Sequence, residues 1–101
     1  MINEYIRYRI GPDRIDAFLG AYEEAGALMR ASPFCLGYEL SRCTEAPDQF
    51  MLRIQWTSEA EHIQGFRTGP QWPAFLKAVG PFRAEIEEMR HYELTPLRWT
   101  R

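Results

Sequence analysis

The chain of 101 residues is short of the residue types that announce the commoner chemistries. Its two cysteines, Cys35 and Cys43, lie eight positions apart on a stretch that reads as strand. At about 3.3 Å per residue that spacing is roughly 25 Å, far outside disulfide reach, so both read as free thiols that pack. Its two histidines, His62 and His91, are distant in sequence and have no cysteine pair beside them, so no zinc pattern is legible and no metal is expected. There is no glycine-rich phosphate loop, since "GPDR" and "RTGP" are single turns. Spacing alone supports no Ser/His/Asp or Cys/His nucleophile. The net charge is −2 and no Lys/Arg run occurs, which argues against a nucleic-acid partner. No apolar run approaches the roughly 18 residues of a membrane span. The segment "MINEYIRYRI" is charged and alternating where a signal peptide carries an apolar block, so the expected location is the cytoplasm.

What is present is patterning. With 46% apolar residues and no repeat, linker or low-complexity segment, residues 1–101 read as one domain with a small core of its own. Alternation predicts a first strand over Asn3 to Ile10, with Ile6, Tyr8 and Ile10 on one face and Tyr5, Arg7 and Arg9 on the other. "GPDR" then opens a helix, with Asp13 as its expected cap. Ile15, Phe18, Leu19, Tyr22, Ala25, Gly26 and Met29 follow at helical spacing, a stripe that suits core packing. Cys35 to Cys43 and Asp48 to Trp56 alternate again, joined by the turn "EAPD" as a hairpin. Ser58 and Glu61 form a capping box for a short helix through Phe66. Trp72, Phe75, Leu76 and Val79 mark a second helical piece, and the last strand is expected from Ile86 to Leu94.

Strand, helix, strand, strand, broken helix, strand is the ferredoxin-like α+β order, a four-stranded antiparallel sheet with helices on one face. The helix-facing side is expected to hold Ile6, Tyr8, Tyr38, Leu40, Phe50, Leu52, Ile54, Trp56 and Tyr92. The opposite side is expected to hold Tyr5, Arg7, Arg9, Glu39, Ser41, Met51, Arg53, Gln55, Met89, His91 and Glu93. That second face has two readings: a solvated sheet surface, or an interface with a second copy, to which its Arg and Met content is suited.

The stretch "QWTSEAEHIQGF", with Trp56 closing a strand, Thr57-Ser58 after it and a helix beginning "EAEHI", resembles the antibiotic biosynthesis monooxygenase family. "INEYIRYRI", "YELSRC", "GFRTGP" and "IEEMRHYE" further resemble the version of this domain fused to a truncated haemoglobin. The resemblance implies a dimeric α/β barrel, a homodimer whose sheets face each other, with the Arg/Glu/His face inside. It also implies a cavity between helices and sheet in which polar groups orient a polycyclic phenol and remove its proton, without metal, flavin or other cofactor. Trp56 matches the family's strand-ending tryptophan, whereas Leu52 stands where one subgroup has asparagine. Haem-degrading relatives match less well: Asn3 is available on the first strand, but no histidine occurs between Phe66 and Val79.

His62 is therefore the candidate catalytic residue, a base near neutral pH, with an exposed helix histidine as the plainer reading. Trp56, Tyr8, Tyr38, Phe66 and Tyr92 are candidates to line a site for a small aromatic molecule, with ordinary packing as the alternative for each. His91, between carboxylates, is expected in an ion-pair network at the dimer face. Two functions follow: a cofactor-independent monooxygenase acting on a small aromatic or quinol-type substrate, or a non-catalytic ligand-binding domain accompanying a haem protein.

Overall fold

Side-chain alternation decides which surface of the sheet is covered. In the computed structural model, which describes residues 1–101, four strands form one antiparallel sheet in the order β2-β3-β1-β4. Strand β1 is Ile2–Arg9, β2 is Cys35–Arg42, β3 is Gln49–Trp56 and β4 is Ile86–Glu93. Helix α1 (Ile15–Arg30) crosses between β1 and β2, and α2 (Trp72–Val79) lies between β3 and β4. This is the ferredoxin-like α+β arrangement that the element order predicts. No helix is long and apolar enough to cross a membrane.

Directly opposed residues share a face of the sheet. Ile6 faces Leu52 and Tyr8 faces Phe50 across β1 and β3, and all four are buried under the helices. From α1 come Phe18, Tyr22, Ala25, Gly26 and Met29, the stripe that its spacing dictates. Phe18, wholly buried, meets Tyr8, Tyr22, Phe50 and Phe82 at ring-centroid distances of 4.8, 5.2, 5.1 and 5.3 Å. Burying such a ring stabilises the fold by roughly 1.5–3 kcal/mol. At Gly26 a Cβ would collide with the Tyr38 phenol, so only glycine lets that ring lie against α1, where Arg30 donates to its hydroxyl. Asp13 does not cap α1. A single turn of 3-10 helix, Pro12–Arg14, leads into it, and neither helix start has a side-chain cap.

Strand β4 departs from its expected orientation. Arg7 faces Glu88 but Tyr8 faces Ile86, so Glu87 is an extra residue in a bulge. Glu87 and Glu88 consequently both reach Arg7 on the open face. Beyond the bulge the parity is reversed relative to unbroken alternation from Ile86. Met89 faces Ile6 and His91 faces Glu4 on the helix side, and Glu93, two residues on, shares that side. Arg90 and Tyr92 turn to the open face, where Tyr92 is 46% exposed and packs edge-on against Tyr5. Met89, His91 and Glu93 therefore leave the face assigned to an interface, and Tyr92 leaves the core.

After β3 the chain coils as a π-helical segment, Glu61–Phe66. Ser58 starts it, its hydroxyl accepting the Glu61 N–H at 3.0 Å, as the capping pattern predicts. The wide winding appears in the bond from the Arg67 N–H to the His62 carbonyl, 3.2 Å, spanning five residues. Such winding turns His62 and Phe66 into the core and leaves Arg67 beside them at its edge.

Candidate active site

A cavity of about 300 Å³ opens between the sheet and the segment 62–86. Its walls are mostly apolar, including Ile6, Ile54, Trp56, Phe66, Trp72 and Phe75. Four charged or ionisable groups interrupt them: Glu4, His62, Arg67 and Arg83, besides the phenols of Tyr8 and Tyr22. A pocket with an apolar body and few polar groups is the usual form of a small-molecule site, and this one lies at the small end of the range.

The polar end is built from four elements. Glu4 occupies an inward position of β1, where alternation otherwise places Ile6, Tyr8 and Ile10, and it is 2% exposed. The Trp56 indole N–H donates to Glu4 Oε1 at 3.1 Å. The His62 ring stacks on Trp56, 4.2 Å between centroids and 12° from parallel, which fixes its plane. Its Nε2 lies 3.6 Å from Glu4 Oε1, and its Nδ1 hydrogen-bonds His91 Nε2 at 2.7 Å. His91 Nε2 lies 3.9 Å from Glu4 Oε2, and His91 Nδ1 lies 3.5 Å from Glu59 Oε1 at the surface. A continuous row of polar atoms thus runs from the cavity, through two imidazoles, to an exposed carboxylate.

Burial governs the protonation states. Desolvation pushes the His62 pKa down to about 3, helped by the positive charges of Arg67 and of His91 when protonated, so His62 is neutral at ordinary pH. Desolvation likewise holds the Glu4 carboxyl above its usual value, and the Trp56 N–H, His91 and Arg67 pull it back down. The Tyr8 and Tyr22 hydroxyls hydrogen-bond each other, and burial pushes Tyr8 up to about 12 and Tyr22 higher, so both stay protonated.

Of the residues predicted from sequence, the structure brings His62, Trp56, Tyr8 and Phe66 to this cavity. His62 is 3% exposed, so it is no surface histidine. Tyr38 lies elsewhere, in a separate depression with Leu19, Tyr22, Arg30 and Leu52. Tyr92 lines a shallow hollow on the open face with Tyr5, Arg7, Met51 and Glu88. Asn3 also turns to the open face, within 3.5 Å of the Arg53 guanidinium. Sequence reasoning missed Glu4, His91 as a cavity-side group, and Arg67. Glu4 had a signal, a lone carboxylate at an inward strand position. His91 was hidden by the bulge, and Arg67 by the unforeseen π winding.

Glu4, His62 and His91 offer three ligand atoms within 4.8 Å of one another, a donor set suited to a divalent transition metal. Their own bonds oppose that use. Trp56 occupies one Glu4 oxygen, the imidazole nitrogens bond each other, and the Arg67 charge is felt at both Glu4 and His62.

Residues 1–78 match the family model described as antibiotic biosynthesis monooxygenase. Among solved structures, a candidate antibiotic biosynthesis monooxygenase from Bordetella bronchiseptica superposes with a TM-score of 0.80 at 26% identity, over 93% of this chain and 96% of that one. Rv0793 of Mycobacterium tuberculosis shares the fold, with a TM-score of 0.69 at 18% identity, covering 99% of this chain and 98% of its own. The uncharacterized protein YczJ of Bacillus subtilis is 19% identical over 93 residues, which is 92% of this chain and 98% of that one.

Proposed function

Since the chain belongs to the antibiotic biosynthesis monooxygenase family, we propose that it oxygenates a small aromatic or quinol-type substrate in the helix–sheet cavity, dioxygen reacting directly with the substrate anion. The observation that carries this reading is the row Glu4–His62–His91–Glu59, which begins buried at the cavity and ends at solvent.

A phenol becomes reactive toward dioxygen when it loses its proton, because the anion is the stronger electron donor. His62 Nε2 accepts that proton while His62 Nδ1–H donates to His91 Nε2 and His91 Nδ1–H points to Glu59. Each ring takes a proton on one nitrogen and releases one from the other. The charge thus leaves the cavity without a lasting imidazolium, which the low pKa of His62 would oppose. The stacked Trp56 holds the His62 ring plane in place. The reaction balances: a phenol with hydrogen on the attacked carbon and one dioxygen give a quinone and one water. The substrate supplies all four electrons, one oxygen atom entering the ring and the other leaving in the water.

A homodimer through the open sheet face belongs to the same proposal, now carried by Arg7, Arg9, Glu39, Arg53 and Gln55 with Tyr92 in place of His91 and Glu93. Tyr5, Met51 and Tyr92 give that face an exposed apolar hollow among ion pairs such as Arg53–Glu39. A cytoplasmic setting is supported by the two free thiols. The alternative of a ligand-binding domain accompanying a haem protein is not supported, since the family match and the similar structures are of antibiotic biosynthesis monooxygenases.

The test is oxygen uptake by purified, metal-free protein given hydroxyanthrones, naphthols and quinols, with His62→Ala alongside. Uptake above the spontaneous rate that falls in the variant is the expected result. Uptake no faster than the spontaneous rate across the panel defeats the reading.

A further inference from the structure

The cavity holds a guanidinium that has no carboxylate within ion-pair distance. Arg7, Arg9, Arg14, Arg53 and Arg90 each have a carboxylate within 4 Å. Arg67 has no such partner, and its buried Nε has no hydrogen-bond acceptor at all. Its guanidinium sits 6.0 Å from the Trp72 ring centroid, held toward the aromatic wall. It lies near enough to Glu4 and His62 to lower the pKa of both. A buried donor left without an acceptor costs stability, and a guanidinium fork matches a carboxylate through two parallel bonds. Arg83, the other arginine on the wall, is exposed to solvent.

We infer that Arg67 is the reader of an anionic substrate group, and that the substrate is an aromatic hydroxy acid whose carboxylate neighbours the hydroxyl facing His62. The π winding supports the adjacency: Arg67 follows His62 by five residues and bonds its carbonyl, so the two side chains border one corner of the cavity. A carboxylate there supplies the missing acceptor and offsets the charge. The remaining walls, Trp56, Phe66 and Trp72, suit a flat apolar body.

This inference rests on the cavity being the substrate site but not on oxygen chemistry, so the test is binding. Calorimetric titration compares 1-hydroxy-2-naphthoate with 1-naphthol, which differ by the carboxylate alone. The wild type should favour the acid by about tenfold or more, the return on charge-assisted hydrogen bonds in a half-dry site. Arg67→Gln should abolish that preference while naphthol affinity stays within about twofold, and Arg83→Gln should keep it. Arg67→Lys covers the case in which the glutamine variant does not fold: it loses the fork, so acid affinity drops and naphthol affinity does not. Equal binding of the two compounds, or an acid preference that survives in Arg67→Gln, overturns the inference. Acid binding without oxygen uptake leaves it standing and defeats the oxygenase reading instead.

Discussion

Acidification should destabilise the protein through His62, and the size of the effect follows from its burial. An unfolded chain gives that imidazole its ordinary pKa of 6.5, whereas the folded chain holds it at about 3. Between those values the unfolded state binds the extra proton, so stability rises with pH through the window and is flat above it. Going from about pH 6.5 to about pH 4.5 therefore costs about 2 kcal/mol at this one residue. For a domain of this size that is a fall in Tm of roughly 8–16 °C. One edge of the ring borders the cavity, where water can enter, so this is an upper bound. Glu4 acts in the opposite sense. Its folded pKa is raised, so the folded state takes up its proton first and regains stability as pH falls toward the ordinary carboxylate value. Scanning calorimetry at the two pH values on wild type, His62→Gln and Glu4→Gln separates the contributions. The drop should shrink by most of the His62 share in the first variant and grow in the second. Equal drops in wild type and His62→Gln would refute the account, because every other titrating group is common to both.

His91→Phe should lower kcat for oxygen uptake by about a hundredfold with KM nearly unchanged, since it removes the second ring of the relay and leaves the cavity walls intact; steady-state kinetics read the split. Phe18→Ala should cost about 3–5 kcal/mol in urea unfolding, because four aromatic rings close on that one side chain. Under the proposed pairing of open faces, light scattering should find a dimer for the wild type and a monomer for Arg53→Glu, which places like charge beside Glu39, whereas Glu93→Lys should stay dimeric. Treatment with a chelator should leave oxygen uptake unchanged. Activity that fell on chelation and returned with a divalent metal would reassign Glu4, His62 and His91 as ligands.

The sequence carried the sheet, its order and the α1 stripe legibly because period two and period 3.6 patterns there are unbroken. Strand β4 was readable in extent, but its orientation was not. Ile86 and Tyr92 share a parity, which invites placing both in the core, and only the bulge at Glu87 separates them. A bulge at an edge strand rich in Glu and Arg leaves no composition mark. The same inversion hid the candidate site: with His91 assigned to the far face, two histidines far apart in sequence had no reason to meet. The π winding after Ser58 was equally silent, since its cap looks like that of any short helix.

Glu4 is the position where the sequence departed from its own pattern and could have been read further. A carboxylate between Ile2 and Ile6 on an inward row costs a 101-residue domain stability that a leucine there would not. Trp56 offers it one hydrogen bond, and His62 and His91 approach at 3.6 and 3.9 Å, longer than a bond. The cluster is thus only partly satisfied from within, and it adjoins a cavity with an unpaired guanidinium. In a small core with little stability to spare, an arrangement that an apolar substitution would improve is better explained by chemistry at the cavity than by folding.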